Sequence, residues 1–212
     1  MTERAAIETT DQALPVPLRM DADERFKGRG VTIAFLDSGF YAHKDLVEPK
    51  NRIVAYHNIF AAEDNPSFLQ KSDVASWHGM MTSVVAAGNG HLSDGLYRSI
   101  APEASVVLVK IGKTGRIPES NIETGLRWVL GNYEKYGIRI VNISAGGDFE
   151  QSYLHNSLCQ LVEDVVKAGL TVVCAVGNAG LAPGHPVLPP ASALPRSCSG
   201  IEHGSPVRCS TA

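Results

Sequence analysis

Ile138-Arg139-Ile140-Val141-Asn142-Ile143-Ser144-Ala145-Gly146-Gly147 is an apolar, β-branched run that stops on four small or polar residues. Such a run fits a strand buried inside a sheet. Upstream, Glu119–Tyr136 carries Ile122, Leu126, Val129 and Leu130 at helical spacing. Before that helix lies Ser105-Val106-Val107-Leu108-Val109-Lys110-Ile111, closed by Gly112. Downstream, residues 152–168 read as a second amphipathic helix capped by Gly169, and residues 170–176 as a strand closed by Gly177-Asn178. Strand, helix, strand, helix, strand, joined by short polar loops, implies an α/β fold. The expected form is a doubly wound, mostly parallel sheet with helices on both faces.

The earlier part of the chain fits the same plan. Residues 31–36 form an unbroken apolar run ending on Asp37-Ser38-Gly39, and residues 52–57 read as a short strand. Residues 78–87, with Met80, Met81, Val84, Val85, Ala86 and Ala87, read as a buried helix ended by Gly88. Residues 1–27 are polar and mixed. Pro15 and Pro17 oppose regular structure there, and Pro15-Val16-Pro17 suits an extended arm lying over a cleft. After Ala193 the apolar period stops, so residues 194–212 are expected to be an irregular polar tail behind a body (28–193) that is C-terminally incomplete.

At 212 residues the chain is long enough for one full core. A net charge of −3 provides no basic footprint for nucleic acid. No apolar stretch approaches the roughly 18 to 20 residues of a membrane span. The N-terminus lacks the basic start and apolar run of a signal peptide, so the sequence as written reads as cytoplasmic; a leader removed beforehand would make it secreted. The four cysteines form no CxxC pair, which argues against zinc. Cys159 and Cys174 lie in apolar elements and are expected to be reduced core residues.

In a parallel sheet, ligands bind at the carboxyl ends of the strands. Asp37-Ser38-Gly39, Gly112-Lys113-Thr114-Gly115, Ser144-Ala145-Gly146-Gly147 and Gly177-Asn178-Ala179-Gly180 all fall at such ends and would line one rim. His78 follows Asp37 by 41 residues, in Trp77-His78-Gly79, where a helix starts. A carboxylate can orient an imidazole, and the imidazole can take a proton from a hydroxyl and later return it. A side-chain amide such as that of Asn178 can donate to the oxyanion that develops on a carbonyl. Each residue taken alone has an ordinary explanation, as a turn residue, a cap or a packed histidine; their joint order is what points to catalysis. A phosphoacceptor role for Asp37 needs an acidic cluster and a lysine at neighbouring strand ends, and those ends carry Ser-Ala-Gly-Gly and Gly-Asn-Ala-Gly instead.

These residues together resemble the subtilase (subtilisin-like) family of serine proteases, over about Gly28 to Ala193. Asp37-Ser38-Gly39 resembles its acid motif, with His43-Lys44-Asp45-Leu46 like the segment that follows. Trp77-His78-Gly79 resembles its histidine motif, residues 142–147 its substrate-binding strand, and residues 175–180 its oxyanion motif. The resemblance implies a serine endopeptidase in which Asp37 orients His78, His78 is general base and then acid, and Asn178 is the oxyanion donor. It implies that Ser144, Ala145 and Gly146 hold the substrate backbone and flank the pocket beside the cleaved bond, with Gly115 and Arg116 edging the same cleft. The partner is a peptide or protein substrate. No cofactor is required for the chemistry, and Asp45 matches a position that binds structural calcium in many members.

Three departures accompany the resemblance. Met80 stands where the family usually has threonine. The first 27 residues are short for the family's folding prosegment. The nucleophile motif, a Gly-Thr-Ser opening a buried helix, is absent: order and spacing put that serine roughly 157 residues after the histidine, beyond Ala212. Ser205, in His203-Gly204-Ser205-Pro206, is a decoy, because Pro206 does not lead into a helix interior. The expectation is a subtilase chain inactive as given, with a non-catalytic peptide-binding protein as the alternative.

Overall fold

The computed structural model describes residues 14–62, 64–113, 116–147, 152–178 and 187–193, and the backbone of 198–200. Among these residues, five α-helices and six strands follow in the order α1 (Val16–Arg19), β1 (Thr32–Asp37), α2 (Lys44–Val47), β2 (Ile53–Asn58), α3 (Ser76–Ala87), β3 (Ser105–Lys110), α4 (Glu119–Tyr136), β4 (Ile138–Ile143), α5 (Ser157–Lys167), β5 (Thr171–Ala175) and β6 (Cys198–Gly200). The strands form one sheet in the order β2-β3-β1-β4-β5-β6, and every pairing is parallel. Expected and observed fold therefore agree.

All six residues of β1 are buried, as a central strand covered on both faces requires. One face carries Leu36, Val107, Val109, Val141, Ile143, Val172 and Cys174 against α4 and α5, through Ile122, Leu126, Val129, Leu158, Val162 and Val165. The other face carries Ile33, Phe35, Val106 and Leu108 against Phe40, Leu46 and Ala87. Each such large side chain contributes about 1.5–3 kcal/mol by leaving water. After β1 the chain builds β2 and β3 on one side, then crosses to build β4 and β5 on the other. The strand order thus reverses at β1, and the crevice beside its carboxyl end is flanked by the ends of β3 and β4.

Three local readings change. Met81 and Val85 of α3 point outward, 42% and 57% exposed, while Ser76, Gly79, Ser83 and Ala87 are buried; α3 lies so close to the sheet that only small residues fit beneath it. The second long helix begins at Ser157, because the Asn156 side chain accepts the Cys159 N–H at 2.9 Å and caps it there. Pro15 and Pro17, expected to oppose regular structure, instead flank the start of α1, where the prolines' fixed backbone angle suits a first helical turn.

The described part of the arm is tied to the opposite end of the sheet from Asp37. Arg98 pairs with Glu24, Arg29 Nε donates to Glu103 at 2.7 Å, and the Glu103 N–H donates to the Lys27 carbonyl at 2.9 Å. Those partners precede β3, so residues 24–29 sit at the strands' amino ends. Within 194–212, expected to be irregular, the backbone of Cys198–Gly200 pairs with Val173–Ala175 and extends the sheet. Among the described residues, no helix is long and apolar enough to cross a membrane. Cys159 and Cys174 are free and buried.

Candidate active site

Asp37 closes β1 and is 1% exposed. Both its oxygens lie 2.9 Å from His78 Nδ1. The Ser38 N–H donates to Oδ1 at 2.7 Å, the Ser38 hydroxyl approaches the same oxygen at 3.3 Å, and Thr82 Oγ1 approaches Oδ2 at 3.4 Å. A buried carboxylate surrounded by donors is fixed in direction. With the carboxylate against Nδ1, the imidazole carries its proton there, and Nε2 is the nitrogen left to accept one.

The reach between the two residues depends on Gly79. A Cβ there would strike the Gly39 carbonyl and come within 2.9 Å of Asp37 Cβ and 2.8 Å of the Phe40 ring. Without one, the first turn of α3 settles against the end of β1, which sets His78 beside Asp37. Trp77 meets the His78 ring edge-on, with centroids 5.4 Å apart. The His78 side chain keeps 34% of its surface open, on a cavity of about 330 Å³ lined also by Trp77, Arg116, Ile117, Ser144, Ala145 and Gly146.

Five of the residues assigned from sequence to the cleft therefore share this cavity with Asp37: His78, Arg116, Ser144, Ala145 and Gly146. Ser144 Oγ accepts from Asn142 Nδ2 at 2.9 Å, which fixes the start of the wall. Asn178 follows β5 on the same rim but is exposed and does not line the cavity. Gly115 lies outside the described residues, as does Ser205. Sequence reasoning missed Thr82 and Ser38 as supports of Asp37. Thr82 carried a usable signal, since it lies one helical turn after His78 and so shares its face.

Asp45 is 6% exposed, but its environment is one of donors. Oδ1 accepts the Leu92 N–H at 2.9 Å, while the Asp45 N–H itself donates to His43 Nδ1 at 3.2 Å. The Asp45 carbonyl accepts from Arg52 Nη2 at 2.6 Å, and burial lowers the Arg52 pKa against the opposing charge of Asp45. Calcium takes six to eight oxygens, and no group of three His, Cys, Asp or Glu side chains gathers to hold a metal among the described residues. Through these bonds Asp45 ties the 88–96 loop to α2 directly.

The subtilase family profile matches residues 28–205, and the chain belongs to that family. It is similar to serine protease AprX of Bacillus subtilis (strain 168), at 30% identity over 184 residues, covering 84% of this chain and 39% of that protein. It is also similar to the major intracellular serine protease of the same organism, at 30% identity over 157 residues, covering 73% and 44%. The chain thus spans less than half the length of either relative. Among solved structures, the Clostridium perfringens CspB protease superposes with a TM-score of 0.64 at 20% identity, over 79% of this chain and 39% of that one. Sphericase gives 0.62 at 23% identity, over 82% and 54%. These two show the fold.

Proposed function

We propose that Asp37, His78 and the Ser144–Gly146 wall are the acid–base and substrate-binding part of a serine endopeptidase, and that these 212 residues alone bind peptides without cleaving them. The observation that carries the reading is the Asp37 carboxylate holding His78 Nδ1 with both oxygens at 2.9 Å. In the complete reaction a serine hydroxyl attacks the peptide carbonyl carbon and its proton passes to His78 Nε2. Asp37 stabilises the resulting imidazolium. His78 then gives the proton to the departing amine as the C–N bond breaks, and water hydrolyses the acyl-enzyme with the same base. Asn178 is the proposed donor to the oxyanion, a role worth about 2.7–4 kcal/mol where it operates.

Among the described residues of the cavity, neither serine is placed as a nucleophile. Ser38 Oγ is spent on the Ala75 carbonyl at 2.7 Å, and Ser144 Oγ is engaged by Asn142. Binding by the wall alone agrees with both facts. A sensitive fluorogenic peptidase assay on the purified chain, beside a His78→Ala control, is expected to give no turnover in either. Turnover that disappears in the control refutes the inactive reading and shows that a nucleophile is present.

A further inference from the structure

Glu119 was read from sequence only as the start of a helix. In the structure its half-buried side chain reaches from the first turn of α4 to the substrate-binding wall. Oε2 accepts from Asn156 Nδ2 at 3.0 Å, and Asn156 is itself 2% exposed and fixed as the cap of α5. The other oxygen, Oε1, lies against Gly147, in the space that a Cβ at that position would need. The Gly147 N–H donates to the Pro189 carbonyl, which anchors the segment over the carboxylate. A glycine at 147 is what leaves room for Oε1 in that place.

We propose that Glu119 and Gly147 form a cation-selecting subsite, which favours a lysine or arginine side chain on a bound peptide and disfavours an acidic one. The inference rests on the peptide-binding reading of the Ser144–Gly146 wall and deepens it. Ser144, Ala145 and Gly146 line the cavity with His78, and Gly147 is the next residue along. At about 3.3 Å per residue, an extended peptide puts a side chain over Gly147 about three positions from the one beside Ser144. A carboxylate in a half-buried site acts through a lower effective dielectric than water, so its charge is felt more strongly than at an open surface. Its position under a backbone lacking a Cβ distinguishes this role from that of an ordinary acid stabilising a helix start.

The test uses the purified chain and fluorescein-labelled octapeptides of one parent sequence, each carrying a single Lys, Gln or Glu at one position, with affinity read by anisotropy. At one position Lys is expected to bind about tenfold tighter than Glu, and that ratio is expected to shrink as salt rises. Glu119→Gln keeps an acceptor for Asn156 and the same shape. It is expected to bring the Lys-to-Glu ratio to within about twofold while the Gln peptides bind as before and the circular dichroism is unchanged. Peptides that bind with no charge preference at any position, or a preference that survives in Glu119→Gln, overturn the subsite and leave the binding wall standing. If no peptide binds, the Gln series included, the wall itself is refuted, and the subsite with it.

Discussion

The two ends of the candidate cleft are built differently. At the Asp37–His78 end, each polar atom that matters is held by a short-range partner, and a buried strand and a helix meet with no space between them. At the Asn178 end, the key amide is exposed, follows the last residue of β5 by three positions, and stands outside the cavity. The first end is assembled by packing: α3 can only lie where Gly79, Ser83 and Ala87 let it. The second is a strand end without such packing among the described residues. An acid–histidine pair can thus be set by packing while the proposed oxyanion donor, Asn178, stands exposed.

The sharpest way to break this comparison is Gly79→Ala. The added methyl meets backbone and the Asp37 side chain, so the change is expected to cost about 1–3 kcal/mol in urea unfolding. It should also part His78 from Asp37, visible as loss of the downfield Nδ1 proton resonance. A mutant as stable as the parent, with that resonance intact, would show that the first end is not set by packing.

A smaller effect lies beneath the second end. Burial pushes the Cys174 thiol from its ordinary 9.0 up to about 12. Below pH 9.0 the thiol is protonated whether the chain is folded or not, and its contribution to stability is fully present. As pH rises further, the unfolded chain releases the proton first, so that contribution is lost progressively toward about 12. Burial raises the Tyr56 hydroxyl to about 12 as well, with the same sign. Urea midpoints should therefore fall between about pH 8 and about pH 10.5, and fall less steeply in Cys174→Ala. The least effect is expected from Asn178→Ala, which should change stability by less than about 0.5 kcal/mol because the side chain is exposed. A larger loss in thermal melting would mean that the second end is packed after all.

Much of the fold was legible because its signals are local. The runs that became β1, β3, β4 and β5 are apolar over strand length and stop on Asp, Gly or Ser, and Gly137 ends α4 with a φ of 63° that suits glycine. The candidate site was legible in part: Asp37, His78, Ser144, Ala145 and Gly146 were all picked out, since strand ends gather on one rim in a parallel sheet. Asp45 was picked out too, but its bond from the Leu92 N–H, 47 residues away, has no sequence signature. The face of α3 was misread for a related reason. Met81 and Val85 are more apolar than Ser83, yet the closeness of the sheet, not polarity, decides which residues fit beneath the helix.

The sequence by itself determined the order of β1 to β5 with α3, α4 and α5 between them, the parallel sheet and the pairing of an acid with a histidine, because strand and helix periodicity and strand-end chemistry are written in consecutive residues. Only the tertiary structure decided that Thr82 supports Asp37, that Asn178 stands outside the cavity, and that Glu119 lies under Gly147. Those facts depend on how closely separate elements approach, and that distance is fixed by the volumes packed between them.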